Sequence, residues 1–238
     1  MKKLLCTLFL LSLAIVPVGA EMQEATLSTD ASVNSDIAPD TATIRFTLVN
    51  SGTNIADIKA KNDKIVNAAI TEIKKKLGKD DTVKTTTYRV NSVYSYKDKI
   101  RIFQKYEVTN GFEVKLKEID KVSEIIDIAT NNGIKTVNGL NFTLSDGEKV
   151  CNELMAKAIK TARSRADYLS AAAGTSILKI KSINPYCSQN STYVQPRMLS
   201  NASMKAMGAS ADEAAVVESI EPGTINVRAG VNMVYYLK

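Results

Sequence analysis

Strand-like and helix-like patterns follow one another along this chain in an order that few folds can accommodate. Apolar residues recur at every second position in the strand-like stretches and at every third or fourth position in the helix-like ones. The order is β-α-β-β-α-β followed by α-β-β, and its first six elements are typical of ferredoxin-like folds. We therefore predict an α+β fold, with an antiparallel or mixed sheet and helices packed on one face. The first predicted strand region comprises 25–34 and 41–50, which are interrupted by a bend at Pro39. The other predicted strands are 82–96, 100–117, 136–146, 176–187 and 223–237.

Each predicted helix has residues that favour its start or its end. In the first, isoleucines form an apolar stripe opposite a lysine-rich face, Thr53 or Asn54 can cap the start, and Gly78 can end it. Asp120 can cap the second helix, which ends at Gly133. The third helix is rich in alanine, leucine, lysine and arginine, which are strong helix formers. The predicted helices span residues 54–78, 121–133 and 148–173.

The last strand alternates polar and apolar residues almost to the final position. Alternate side chains of a strand point to opposite faces of the sheet. Asn226, Arg228 and Asn232 belong to one face, so the other face is predicted to be buried under a helix. The predicted buried set is Val227, Ala229, Val231, Met233, Tyr235 and Leu237.

The first 20 residues have the three-part pattern of a secretory signal. Two lysines precede an apolar stretch, and small residues lead up to Ala20. We predict a signal peptide at 1–20 and an exported periplasmic chain at 21–238. The apolar stretch is shorter than the roughly 20 residues of a membrane-spanning helix. We therefore predict no transmembrane segment after signal cleavage, while peripheral membrane, outer-membrane or surface association stays open.

The charge of the exported chain does not favour a nucleic-acid partner. Loss of Lys2 and Lys3 with the signal removes two of the 31 basic residues and lowers the formal net charge from +6 to +4. The remaining basic residues are spread along the chain, whereas nucleic-acid-binding proteins carry a clustered basic stripe. We predict no nucleic-acid partner.

The absence of histidine from the sequence narrows the catalytic chemistry available. Histidine activates the nucleophile in Ser-His-Asp and Cys-His enzymes and is the commonest zinc ligand. The stretch at Gly78 lacks the earlier glycine and the following Ser or Thr of a phosphate-binding loop. A pair of carboxylates, as in glycosidases, is the remaining alternative. We predict no enzymatic activity and no cofactor. We also predict no metal site, with three methionines as the only weak candidates for ligands.

Two cysteines are placed to meet if the third helix and the following strand are antiparallel. The helix from Cys151 runs about 34 Å at 1.5 Å per residue, and the strand to Cys187 returns about 33 Å. A disulfide between them suits an oxidising compartment. The alternative is two separate cysteines that pack as small apolar residues.

Three methionines, Met198, Met204 and Met207, lie in the long irregular segment 188–219. Thioethers are soft ligands that suit Cu(I), and methionine is oxidised reversibly, so these residues are weak candidates for a metal or oxidant site. The alternative is adaptable apolar contacts at a protein interface.

Four tyrosines, Tyr88, Tyr94, Tyr96 and Tyr106, lie on the predicted hairpin 82–117, whose turn is the charged triplet at 97–99. They are candidates for a protein interface, because tyrosine supplies both apolar area and a hydroxyl. The alternative is that they are ordinary residues of half-buried strands.

The ordered set of motifs along the chain resembles the SIMPL-domain family of bacterial periplasmic and surface-associated proteins. The resemblance implies an exported protein, often antigenic, that is linked to oxidative or envelope stress and tends to assemble, with no established catalytic residues. It covers nearly all of 21–238 as one SIMPL-like domain, which can be subdivided into a ferredoxin-like half, 21–146, and a second part, 147–238. The motifs are 38–42 (APDTA), Asn62, the hairpin tyrosines, 142–146 (FTLSD), Ala173-Gly174 and 220–223 (IEPG).

We predict a non-enzymatic scaffold or interaction module that forms a homo-oligomer through the hairpin and the segment 188–219. An envelope protein is a further predicted partner. The alternative function is a small-ligand, soft-metal or oxidant-binding stress protein that uses the methionine-containing segment.

Overall fold

The structure is a computed structural model that describes residues 24–194 and 220–238. Its strands form two antiparallel sheets, one of five strands and one of three. The strands are β1 (Thr26–Ile37), β2 (Thr41–Gly52), β3 (Thr82–Lys97), β4 (Ile100–Leu116), β5 (Thr136–Thr143), β6 (Ile177–Gln189), β7 (Thr192–Val194) and β8 (Ile225–Leu237). The helices are α1 (Ile55–Lys74), α2 (Val122–Asn131) and α3 (Gly147–Ala172), with a 3-10 turn at Ile119–Lys121.

The five-stranded sheet has the order β3-β4-β2-β5-β7, and α1 and α2 share its hydrophobic core. The side chain of Asn54 accepts hydrogen bonds from the N–H groups of Ala56 and Asp57, as its predicted capping role requires. Phe46 and Phe112, fully buried on adjacent strands, stack with their ring centroids 5.0 Å apart. The apolar stripe of α1 therefore packs on the middle of this sheet.

The three-stranded sheet has the order β1-β8-β6, and α3 packs on it. Ala158, Ala162 and Ala166 recur every fourth residue along α3 and are fully buried, so the helix backbone lies close to the strands. The Thr29 hydroxyl of β1 donates a hydrogen bond to the Ala162 carbonyl at 3.1 Å. The prediction for the last strand is confirmed, except that Leu237 is only partly buried. The buried residues of β8 include Val227, Ala229, Val231, Met233 and Tyr235.

The α+β class is confirmed, but the residues around Pro39 separate two strands instead of bending one. β1 pairs with β8 as far as Ile37, and β2 starts its pairing with β5 at Thr41, in the other sheet. Between them the N–H of Asp40 donates to the carbonyl of Thr143 at 3.2 Å. Three residues thus carry the chain from one sheet to the other, and β1 joins the sheet of β6 and β8.

Two local predictions about the helices are wrong. The 3-10 turn precedes α2, so the N-cap position falls on Lys121, with no side-chain cap, and Asp120 does not cap the helix. The C-cap of α1 is Lys75, three residues before Gly78. The end of β6 and all of β7 lie within the segment predicted as irregular, 188–219, whose residues 195–219 are outside the described part of the chain.

Candidate functional site

The hairpin formed by β3 and β4 is the longest strand pair in the described part of the chain. Asp98 and Lys99 form its turn, with φ of 50° and 65°, the left-handed values that a type I′ turn needs. Lys97 and Ile100 pair directly beside the turn, so the short turn predicted at 97–99 is where the hairpin reverses.

The predicted interface tyrosines lie along this hairpin without forming one cluster. Tyr94 and Tyr106 both contact Phe103, with ring centroids 5.8 Å and 4.8 Å away. Tyr88 lies nearer to α1, where its hydroxyl donates to Asp63 Oδ1 at 3.1 Å. The structure therefore brings two of the four tyrosines together and separates the other two.

The sequence-based reasoning missed the residues of β4 that complete this aromatic group. The register places Phe103 opposite Tyr94 and Arg101 opposite Tyr96. The Arg101 guanidinium lies 3.6 Å from the centroid of the Tyr94 ring, a cation–π contact. A two-residue turn centred on 98–99 fixes this register, so the turn residues in the sequence are enough to place Phe103 opposite Tyr94.

Among the described strands, β3 lies at the edge of the five-stranded sheet and pairs only with β4. An edge strand presents unpaired N–H and C=O groups to which another strand can bond. Most of its side chains are exposed, including those of Tyr88, Val90 and Tyr94. The hairpin thus offers a backbone edge bordered by apolar side chains.

Cys151 and Cys187 meet as a disulfide, with Sγ atoms 2.02 Å and Cα atoms 5.8 Å apart. Cys151 lies near the start of α3 and Cys187 near the end of β6. The bridge closes a chain segment with a sequence separation of 36. It ties the helix to the edge strand of the three-stranded sheet.

Asp40 and Ser145 join two of the motifs on which the SIMPL resemblance rests, 38–42 and 142–146. The carboxylate of Asp40 accepts hydrogen bonds from the backbone N–H and the hydroxyl of Ser145 and from the hydroxyl of Thr41. Burial raises the pKa of Asp40, but the bonds from Ser145 and Thr41 and the nearby charge of Lys117 outweigh it and hold this pKa below its ordinary value. The contact fixes the crossing between the two sheets to the connection that leads into α3.

Asn62 is fully buried on α1 and points its amide at the sheet. Its Nδ2 donates to Asn50 Oδ1 at 3.0 Å and lies 3.3 Å and 3.4 Å from the carbonyls of Leu48 and Val108. Within the described residues, the buried Oδ1 atoms of Asn62 and Asn110 have no hydrogen-bond partner. The amide therefore acts as a donor that holds α1 to β2 and β4.

An open cleft of about 320 Å³ lies where the sheet crossing meets the start of α3. Asp40, Asp146, Lys149 and Glu153 are its charged residues, together with apolar ones such as Leu144. Asp146 caps α3 by accepting from the N–H of Lys149, and Asp40 is bonded to Ser145. Two of the three carboxylates in this cleft thus have structural partners already.

The described residues give no support to a metal centre. Within 24–194 and 220–238, no group of three or more His, Cys, Asp or Glu residues is placed to hold a metal ion. The candidate ligands Met198, Met204 and Met207 lie outside the described residues, as does the predicted signal peptide.

No helix in the described ranges is both long and apolar enough to cross a membrane.

The chain matches the SIMPL family, described as "Protein of unknown function (DUF541)", over residues 27–235. This span begins in β1 and ends in β8, so it includes both sheets.

Three relatives share most of their length with this chain. Two are named "26 kDa periplasmic immunogenic protein", from Brucella melitensis and Brucella abortus. Each is 22% identical over 206 residues, which cover 84% of this chain and 80% of the relative. The third, "Uncharacterized protein YggE" of Edwardsiella ictaluri, is 23% identical over 211 residues, 88% of this chain and 85% of the relative.

Proposed function

This chain belongs to the SIMPL family, and from that premise we propose that it is an exported periplasmic protein that acts as a non-enzymatic, self-associating interaction module of the cell envelope. The names of the two Brucella relatives support the periplasmic location. The signal-like pattern of residues 1–20 supports export. The link to envelope or oxidative stress, which the family resemblance implies, stays a prediction.

The β3 edge, which has no neighbouring strand beyond β4 among the described residues, is the observation that supports self-association most directly. β3 has 16 residues, no proline and only three charged side chains, Lys84, Arg89 and Lys97. Proteins usually protect such edges with proline, charged side chains, β-bulges or short strands. β3 lacks proline and is longer than the edge strands of the other sheet, and its protection is limited to these three basic residues and the register shift between Thr85 and Thr87. Its side chains include apolar and aromatic ones that a second strand would cover.

The two edge strands of the other sheet are shorter than β3, with 12 residues in β1 and 13 in β6. β6 contains Pro185, which lacks the N–H needed to extend a ladder. β1 carries Asp30 and Asp36, both exposed. Pairing between copies is therefore expected at β3 before either of these strands.

A lysine on the β3 edge tests this function. Val90 on β3 is 38% exposed and Ile183 on β6 is 41% exposed, so Val90→Lys and Ile183→Lys are matched changes on two edges. Light scattering of residues 21–238 is expected to give an oligomer that Val90→Lys shifts toward monomer and Ile183→Lys leaves intact. A monomeric parent protein at about 100 µM, or an equal effect of both changes, would contradict the proposal.

The second predicted surface, in 188–219, lies mostly outside the described residues. Deletion of 195–219, measured in the same way, tests its contribution separately from that of β3.

A further inference from the structure

The outer end of the β3–β4 hairpin extends beyond the sheet that supports it. We call residues 93–103 the hairpin tip. β2 pairs with β4 only as far as Gly52 opposite Tyr106, so in the described part of the chain the stretch 100–105 of β4 has β3 as its only neighbouring strand. At about 3.4 Å per residue, six residues carry the hairpin about 20 Å past the end of β2.

Apolar side chains are exposed on both faces of the hairpin tip. Tyr96 is 73% exposed and Ile100 is 66% exposed. Tyr96 pairs with Arg101, and Ile100 pairs with Lys97, which is the next residue after Tyr96 on β3. Because partners opposite each other share a face and neighbours alternate, Tyr96 and Ile100 point to opposite faces. Within 24–194 and 220–238, the tip is thus a thin wedge that exposes apolar side chains on both faces.

Positive charge is concentrated at the end of this wedge. Lys97, Lys99 and Arg101 lie within five residues, with Asp98 as the one acid among them. Long basic side chains can lay their stems along apolar surface while the charged ends stay in a polar layer. Aromatic, aliphatic and basic groups therefore occur together here, as they do in segments that bind membrane interfaces.

We propose that the hairpin tip inserts into the headgroup region of an anionic phospholipid bilayer. Tyr96, Ile100 and the neighbouring apolar residues enter the boundary between headgroups and acyl chains. Lys97, Lys99 and Arg101 contact the lipid phosphates, which attract basic side chains within a Debye length of the surface.

The internal structure of the tip suits this role because it needs little ordering on binding. Phe103 is held between Tyr94 and Tyr106, and Arg101 stacks on Tyr94. The two-residue turn holds the end in one conformation. A preformed wedge loses less conformational entropy on binding than a flexible loop does.

Charge favours a lipid surface over a second copy of the tip as the occupant. Two tips packed against each other would bring Lys97, Lys99 and Arg101 of both copies together, and like charges in contact oppose association. An anionic bilayer supplies the complementary charge and needs no matching shape. The tip shares residues 93–97 with the β3 edge, but the self-association test changes Val90, which lies outside the tip. The lipid proposal can therefore fail while the self-association proposal holds, and the reverse.

A unique tryptophan tests insertion directly, because the chain has none. Tyr96→Trp places the indole on the tip, and Tyr168→Trp places it on α3 at a residue that is 75% exposed. The probes are vesicles of phosphatidylcholine alone and of phosphatidylcholine with about one third phosphatidylglycerol. With the anionic vesicles, a blue-shifted emission and quenching by brominated lipid are expected for Tyr96→Trp and not for Tyr168→Trp.

A charge series tests the electrostatic part. Lys97→Gln with Arg101→Gln removes two charges from the tip, and Lys157→Gln with Lys160→Gln removes two from the exposed side of α3. Sedimentation with anionic vesicles measures the membrane binding constant. The two changes in the tip are expected to lower this constant about thirtyfold, and the two changes in α3 much less.

Three results would overturn the proposal. One is an unchanged emission spectrum of Tyr96→Trp with anionic vesicles. Another is equal binding to both kinds of vesicle or an equal effect of the two charge pairs. The third is a lipid-free oligomer that dissociates when the tip charges or Tyr96 are changed, because that result would make a second copy the occupant. Far-ultraviolet circular dichroism of each variant verifies that it is folded.

Discussion

Asp40 accepts two hydrogen bonds from Ser145, one from the backbone N–H and one from the hydroxyl, and both are 2.6 Å long. The two residues are 105 positions apart in the chain. Asp40 lies where the chain passes from one sheet to the other, and Ser145 lies just before the cap of α3. One carboxylate therefore joins the crossing of the sheets to the start of the longest helix.

The lowered pKa of Asp40 makes its contribution to stability dependent on pH. A carboxyl whose pKa is lower in the folded state stabilises the fold above its unfolded value, near 3.8, and this contribution is lost as the pH falls through the folded-state value. Asp40→Asn is expected to cost about 1 kcal/mol near neutral pH, discounted for solvent exposure. The difference from the parent protein should vanish in strong acid, as measured by urea unfolding across the pH range.

Asp36→Asn is the control for the Asp40 prediction, because Asp36 is also an exposed acid but accepts one hydrogen bond, from Asn226 Nδ2, whereas Asp40 accepts three. An Asp40→Asn difference that stays constant with pH would contradict the role given to the charge.

Reduction of the Cys151–Cys187 disulfide is expected to lower the free energy of unfolding by about 4 kcal/mol. The sequence separation of 36 sets this value in the chain-entropy model, since the bridge restricts the unfolded chain. Urea unfolding with and without a reductant measures the loss. Cys151→Ser with Cys187→Ser should match the reduced parent protein and lose nothing further on reduction.

Thiol titration of the denatured, unreduced protein provides an independent check on the bridge. The chain from residue 21 contains only these two cysteines, so no reactive thiol is expected. Two reactive thiols per chain would show that the bond is absent from the exported protein.

The sequence predicted the faces of single elements better than the partners of those elements. In β8 the alternation of residues from Val227 to Tyr235 was enough to predict the buried face, because burial of one face of a strand imposes a period of two. The division into two sheets was not predicted, because Pro39 marks a break but does not say where the next strand pairs. The contact of Asp40 with Ser145 was not predicted, for the same reason. Both residues lie in motifs that carry the family resemblance, 38–42 and 142–146, but the sequence does not show that these motifs meet.

The packing of α3 should be intolerant of larger side chains on its buried stripe. Ala162 is fully buried against the sheet, and its carbonyl receives the Thr29 hydroxyl. Ala162→Leu is expected to destabilise the fold by about 1–3 kcal/mol through overpacking. Ala171→Leu, on the exposed side of the same helix, should change stability by less than about 0.5 kcal/mol. Thermal unfolding of both variants tests the contrast, and equal losses would contradict this helix orientation.

The last prediction compares the same substitution at two asparagines of one helix. Asn62→Asp keeps the shape of a buried side chain but replaces its donor with an acceptor, which then faces Asn50 Oδ1 and the carbonyls of Leu48 and Val108. The carboxylate would be desolvated and surrounded by acceptors, so a loss of about 3 kcal/mol or more is expected near neutral pH. Asn54→Asp places the same group at the exposed N-cap, where a carboxylate caps as well as an amide does.

The pH dependence separates this explanation for Asn62→Asp from a simple loss of shape. Burial would raise the pKa of the introduced carboxyl above its unfolded value of about 3.9. Below that value the group is protonated in both states and its hydroxyl can donate to one of the facing acceptors, so the penalty is small. As the pH rises toward the folded-state pKa, the unfolded state releases its proton first and the penalty grows until it levels off. Unfolding midpoints from about pH 3 to 8 should therefore diverge from those of the parent protein for Asn62→Asp and stay close to them for Asn54→Asp. A loss that is independent of pH would instead mean that α1 depends on the shape of Asn62 and not on its donor.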